Sequence, residues 1–289
     1  MSPGGHLRQL LVDDAPVLAP GVANALGARI VADCGFNTVY VSGAGIANWS
    51  LGVPDLGLTT MADVLREVER ICDAVDIPVI ADADTGYGNA LNVHRTVRAF
   101  ERAGVAAIQL EDQVDPKRCG HFEGKEVSSA AEMVTKIRSA VDARTDPDLM
   151  IVARTDARAT EGLDRAIERA HQYREAGADA IFVEAPLDAG ELARIGAEVP
   201  GPLVANIVEG AKTPTLERSE LGRLGFNIVI YANLAGRAAM LAMHDVLSTL
   251  RAQGSSLGLE DRIVSMAERN RLTGMDKWQA LERRYGIDP

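Results

Sequence analysis

Asp82 and Asp84 stand on either side of one alanine, and Glu111 closes a separate apolar run, Ala107-Ile108-Gln109-Leu110-Glu111. In extended backbone, residues two apart face the same side, so the two aspartates point together. Oxygen donors with no His or Cys among them favour a hard cation. Mg²⁺, with Mn²⁺ as the alternative, would be held partly through water and completed by substrate oxygens. Taken singly, each acid reads equally well as a helix cap or as the partner of a rim arginine or lysine. Taken as a cluster they call for a cation, because like charges this close oppose one another's ionisation.

A second chemical group is the run Lys117-Arg118-Cys119-Gly120-His121, inside the polar connection 112–128. Two cations and an imidazole beside a cysteine favour the thiolate, which would make Cys119 an acid/base or nucleophile under a mobile loop. A solvated basic turn with an incidental thiol is the competing reading. Cys34 and Cys72 fall in helical patterns and read as packing residues. Ser42-Gly43-Ala44-Gly45 could offer backbone N–H groups to an anion, although a tight turn explains the same glycines.

The elements that must position these groups repeat along the chain. Short β-rich runs occur at 17–20, 38–42, 78–82, 107–111, 150–154, 180–184, 203–206 and 227–231, with helical periodicity between them at 61–74, 91–103, 130–143 and 163–176. Gly35, Gly104, Gly177 and Gly225 each follow a helical segment and precede a strand, as left-handed caps do. Eight parallel strands make a (β/α)₈ TIM barrel, preferred over a doubly wound sheet because no Gly-x-Gly-x-x-Gly follows the first strand. In a barrel the carboxyl ends of the strands face the active site. Here they read Ser42, Asp82, Glu111, Arg154, Glu184, Asn206 and Tyr231. Residues 1–289 read as one domain, in which a linker at 253–256 opens a C-terminal helical extension, 253–289, that packs on its own barrel or reaches a neighbouring subunit.

Composition narrows the function. A 289-residue chain that is 47% hydrophobic can bury a full core, and its net charge of −11 argues against nucleic acid as partner. An anionic substrate must then be held locally, by a metal and a few placed cations or N–H groups. No apolar run approaches the ~20 residues of a membrane span, no leader is evident, and a cytoplasmic location is expected. Three cysteines are too few for a disulfide framework or a zinc site.

With these residues in place, the sequence resembles the isocitrate lyase/phosphoenolpyruvate mutase superfamily, especially its 2-methylisocitrate lyase and 2,3-dimethylmalate lyase branches. The likeness runs from about Pro20 to the C-terminus. It rests on Tyr40-Val41-Ser42-Gly43, Leu51-Gly52-Val53-Pro54-Asp55-Leu56-Gly57, Asp82-Ala83-Asp84, Glu111-Asp112-Gln113, the Cys119 run, Ala153-Arg154-Thr155-Asp156, Glu184-Ala185 and Ala205-Asn206. The resemblance implies a Mg²⁺-dependent carbon–carbon lyase working through an aci-carboxylate on a small carboxylate substrate, in a homotetramer that exchanges C-terminal helices. It implies Asp82 as main metal ligand, with Asp55, Asp84 and Glu111 acting directly or through water. Ser42, Gly43 and Ala44 would hold a carboxylate, Arg118, Gly120, Arg154, Glu184 and Asn206 the remaining oxygens, and Cys119 would be the catalytic acid, with Lys117 and His121 beside it. Tyr40 is one candidate base; a glutamate or a metal-bound water serves equally. The Cys119 run favours a lyase over a phosphonomutase or an oxaloacetate-cleaving enzyme on the same scaffold. Arg237 and Arg269 match positions implied to bind the extra carboxylate of methylisocitrate, whereas Phe122-Glu123-Gly124-Lys125 and Val208 follow the dimethylmalate pattern. The balance leans narrowly to methylisocitrate.

Overall fold

The computed structural model describes residues 1–13, 15–120, 122–211 and 213–287. Eight parallel strands close into a barrel in sequence order: β1 Val17–Val22, β2 Val39–Val41, β3 Val79–Asp82, β4 Ala107–Glu111, β5 Met150–Thr155, β6 Ala180–Val183, β7 Leu203–Asn206 and β8 Ile228–Tyr231, with β8 pairing back on β1. The helices in chain order are α1 Pro3–Leu10, α2 Ala25–Asp33, α3 Gly43–Ile46, α4 Met61–Ala74, α5 Ala90–Ala103, α6 Ala130–Ala143, α7 Ala157–Glu161, α8 Leu163–Glu175, α9 Ala189–Glu198, α10 Arg218–Arg223, α11 Leu234–Gln253, α12 Met266–Leu272 and α13 Met275–Tyr285. The barrel expectation holds, and all four glycines read as caps have positive φ, from 84° to 106°.

Strand alternation sorts the core into two layers. Val39, Val41, Val79, Ala81, Ile108, Leu110, Ile151 and Ala153 point outward under the helices. Ala19, Ile80, Ala107, Met150, Val152, Ala180, Phe182, Val204, Ile228 and Ile230 fill the barrel interior. α1 closes the bottom: Ser2 caps it by accepting from the Gly5 N–H (3.2 Å), and Leu7, fully buried, plugs the inner cluster. Counting upward by two along the inner face of each strand leads directly to the rim. Ile80 leads to Asp82, Ala107 to Gln109 and Glu111, Val152 to Arg154, Phe182 to Glu184 and Val204 to Asn206.

Beyond β8 the chain behaves differently. α11 has no buried residue, and Leu241 and Leu247 on it are 73% and 56% exposed. α12 returns to α2, where Arg271 makes a two-pronged pair with Asp33 at 2.5 and 2.6 Å. None of the described helices is long and apolar enough to cross a membrane.

Candidate active site

The rim residues converge on one small cavity of about 30 Å³, lined by Tyr40, Ser42, Ala44, Asp55, Asp82, Lys117, Cys119, Gly120, Arg154, Glu184, Asn206, Ile230, Ala232 and Asn233. That is room for about one water molecule. The connection after β4 has folded down over the barrel mouth. Its base is a short antiparallel bridge, Gln113 with Val127, and the Gln113 side chain clasps Arg118 at both backbone groups (2.9 and 2.8 Å). The Cys119 N–H donates to the Asp55 carbonyl (3.2 Å), tying this loop to the one that follows β2.

One side of the cavity is acidic. Asp82 Oδ1 accepts from the Asp84 N–H (3.1 Å) and from Gln109 Nε2 (3.2 Å), and Oδ2 faces the Gly43 N–H at 3.4 Å. Asp84 is held with φ +47°, a strained conformation for a residue with a side chain. Burial, with the Asp82 charge adding, pushes the Asp84 carboxyl up to about 6 against the pull of Lys117. The Lys117 ammonium sits between Asp55 (2.7 Å) and Asp84 (2.8 Å). Burial works against its charge, but Asp84, Glu111, Asp55 and Asp82 outweigh it and keep Lys117 firmly protonated.

The opposite side is organised by Arg154. Its guanidinium pairs with Asp156 at 2.9 and 3.1 Å, approaches Glu111 Oε2 at 3.3 Å and Glu184 Oε2 at 3.7 Å, and lies over the Phe182 ring at 5.2 Å. Asn206 Nδ2 reaches both Glu184 oxygens at 3.5 Å. Burial pushes the Glu111 carboxyl well above its ordinary range, and the Asp156 and Asp82 charges add to it against Arg154 and Lys117. Glu111 Oε1 is buried with no hydrogen-bond partner. Gly120 is packed so tightly that a Cβ there would stand 2.4 Å from Arg154 Nη2.

A thiol, an arginine, an amide and a set of acids around one cavity is a site for carboxylate chemistry, and comparison with known proteins agrees. A profile of the phosphoenolpyruvate phosphomutase family matches residues 7–251. The chain belongs to the phosphoenolpyruvate mutase/isocitrate lyase superfamily. It is 47% identical over 285 residues to a 2,3-dimethylmalate lyase of Eubacterium barkeri, covering 99% of each chain. It is 44% identical over 267 residues to a 2-methylisocitrate lyase of Shewanella oneidensis, covering 92% of this chain and 91% of that one. Among solved structures, a phosphonopyruvate hydrolase complexed with oxalate and Mg²⁺ superposes with a TM-score of 0.88 at 33% identity, over 99% of both chains. The chain is thus a superfamily enzyme, and these two relatives are named as lyases.

Several expected roles change once the superfamily site is seen in three dimensions. Among the described residues, no three His, Cys, Asp or Glu are grouped to hold a metal, so a cation here would meet Asp55, Asp84 and Glu111 at least partly through water, one of the two ways the resemblance implied. Lys117 occupies Asp55 and Asp84, and Arg154 takes one oxygen of Glu111. What remains is Asp82 Oδ2 and the unpartnered Glu111 Oε1, hard donors that fit a cation keeping most of its water. At Tyr40, burial, with the Asp82 charge adding, raises the phenol well above the ordinary range, and its hydroxyl donates to Gln109 Oε1 at 3.2 Å. Lys117 points into the acids, and Arg118 is exposed and absent from the cavity lining. His121 lies outside the described residues. Ser42 uses its hydroxyl to cap α3 (3.0 Å to the Gly45 N–H), and the Gly43 N–H is turned to Asp82, so of the small-residue run Ser42 and Ala44 line the cavity. Arg237 donates to the Glu209 carbonyl (2.8 Å) and is half exposed, one helical turn from Asn233. Arg269 is exposed on α12, bonded to Asn270, and does not reach the rim of its own barrel. Tyr231 also turns away, because Ile230 faces inward on β8.

Gln109, Lys125, Asp156 and Asn233 belong to the site or directly support it, and sequence reasoning gave them no role. For Gln109 the signal was available: it lies two residues before Glu111 on the same strand face.

Proposed function

We propose that this chain is a Mg²⁺-dependent lyase that splits a short 2-hydroxy dicarboxylate of the 2,3-dimethylmalate type into an oxo acid and a simple carboxylate. The observation that carries the reading is the Cys119 thiol sharing one cavity with Arg154, Glu184 and Asn206. Arg154 and Asn206 would pair with substrate carboxylate oxygens, and Tyr40 would offer its phenol hydrogen to an oxygen on the acid side. One of the cavity carboxylates would accept the substrate hydroxyl proton. As the hydroxyl oxygen becomes a carbonyl, the C2–C3 bond breaks and its electron pair stays on C3, beside the second carboxylate. Cys119 delivers its proton to that carbon, giving pyruvate and propionate from dimethylmalate. Asp82 and Glu111 would hold the cation, which when bound supplies charge stabilisation to the developing carbanion. The loop excludes water while the carbanion exists.

A dicarboxylate is favoured over a tricarboxylate because Arg237 is engaged with Glu209. Methylisocitrate is the second reading, supported by Arg237 lying one turn beyond a cavity-lining residue. Purified protein with Mg²⁺ is assayed for pyruvate from racemic 2,3-dimethylmalate and 2-methylisocitrate, with phosphonopyruvate as the mutase arm. Faster pyruvate release from dimethylmalate is expected; pyruvate from neither would sink the lyase reading.

The same proposal includes a homotetramer with exchanged C-terminal helices. It is supported by α11, which leaves an apolar cavity of about 330 Å³ between itself and α2 while exposing Leu241 and Leu247, and by Trp278 on α13, 60% exposed. Light scattering on the eluting protein should give about four times 30.8 kDa, and a Leu241→Asp/Leu247→Asp variant should elute smaller.

A further inference from the structure

Asp156 takes no part in the chemistry just described, yet it is fully buried and stands where the two parts of the site meet. It holds the N-cap position of α7 without capping it, although aspartate is among the best residues for that task. Both carboxylate oxygens are used elsewhere. Oδ2 accepts from Arg154 Nε at 2.9 Å; Oδ1 accepts from Arg154 Nη2 at 3.1 Å and from Lys125 Nζ at 2.7 Å. Lys125 comes from the far arm of the loop, is buried to 2% side-chain exposure, and also donates to the carbonyl of Gly120, the neighbour of Cys119.

Asp156 is in turn anchored from behind. Its N–H donates to Asp112 Oδ1 at 2.9 Å, while Asp112 Oδ2 accepts from Thr155 Oγ1 and Tyr173 Oη, each at 2.7 Å. The Asp112 N–H also donates to the Arg154 carbonyl at 3.2 Å. A loop cation, a rim cation and a rigid buried support therefore meet on one carboxylate.

We propose that Asp156 is a positioning residue that locks the thiol-bearing loop to the substrate-binding arginine, so that Cys119 and Arg154 reach their working positions together. The kinetic consequence rests on the lyase reading; the loop consequence does not. Charged hydrogen bonds of this kind are worth roughly ten- to a hundredfold each in an equilibrium.

The test is the rate of Cys119 alkylation by iodoacetamide, read peptide by peptide, beside steady-state kinetics. Asp156→Asn should speed Cys119 labelling about tenfold or more and raise KM. Lys125→Met should speed labelling by a similar factor while changing KM less than about threefold, because the Arg154–Asp156 pair survives it. The double variant should label no faster than either single one. Unchanged labelling in Lys125→Met, or single effects that multiply in the double variant, would overturn the proposal. If Asp156→Asn does not fold, Lys125→Met alone decides the loop half. A wild-type protein that cleaves neither acid would refute the lyase reading and leave the labelling result standing.

Discussion

Gly120→Ala isolates the contribution of loop closure. A Cβ at residue 120 would lie 2.4 Å from Arg154 Nη2 and 2.7 Å from both Cγ and Cδ of Glu184, roughly 1 Å inside ordinary van der Waals contact. Gly120 is not among the glycines with positive φ, so alanine carries no backbone penalty and the whole effect is steric. The clash exists only while the loop lies on the barrel mouth. Overpacking of this size costs about 1–3 kcal/mol, and a cost confined to the closed arrangement lowers kcat/KM by roughly five- to 150-fold. Global stability should hardly move, since the nearest atoms to the added Cβ belong to Arg154 and Glu184, which are in neither core layer. Pyruvate release coupled to NADH oxidation by lactate dehydrogenase gives the kinetics, and thermal melting gives the stability. A Gly120→Ala enzyme within twofold of wild type, or one whose melting temperature falls in step with its activity, would refute the reasoning.

The other expectations concern charge and chemistry. Cys119→Ser should lower kcat by about 10²–10⁴ with little change in Mg²⁺ affinity measured by calorimetry, because the hydroxyl is a far weaker acid than the thiol. Lys117→Met should tighten Mg²⁺ binding, since it removes a cation from between Asp55 and Asp84, while slowing turnover; weaker binding would contradict the placement of Lys117. Arg237→Ala should raise KM sharply for a tricarboxylate and little for a dicarboxylate, and equal effects would make Arg237 structural. Burial works to raise the Asp156 carboxyl, but Arg154 and Lys125 outweigh it and hold it at about 2. A depressed carboxylate stabilises the fold above its unfolded value near 4, and that stability is lost as pH falls through 2, amounting to about 2 kcal/mol. Denaturant melts of Asp156→Asn against wild type between pH 5 and 2 should therefore converge as the pH falls.

The barrel was legible because its physics is local. Short β-rich apolar runs such as 150–154, helical segments such as 61–74 and glycines at the αL caps each announce one repeat, and their number closes the sheet. The rim followed from register alone: once Val152 is inside, Arg154 must be at the mouth. The loop was not legible in this way. Lys117 was read as an activator of Cys119 because the two are close in sequence, but its ammonium goes to the carboxylates of Asp55 and Asp84, from other loops. Lys125 and Asp156 meet across 31 positions of sequence, a pairing no periodicity reveals. The lack of buried residues on α11 appears only when the barrel beside it is built.

Charge accounting links the loop to the reaction. Among the described residues, Asp55, Asp82, Asp84, Glu111, Asp156 and Glu184 put six carboxylates in or against the cavity wall, beside the cations Lys117, Lys125 and Arg154, two of which are carried by the loop. An excess of carboxylates disfavours the approach of a dicarboxylate. Part of the excess is relieved by protonation, as the raised carboxyls of Asp84 and Glu111 indicate. A bound dicarboxylate enlarges the deficit again. On the proposed lyase reading, a divalent cation would offset this deficit together with Lys117 and Lys125, so that the acids would call for the cation while the loop lysines neutralise the carboxylates Asp55, Asp84 and Asp156 that they pair with.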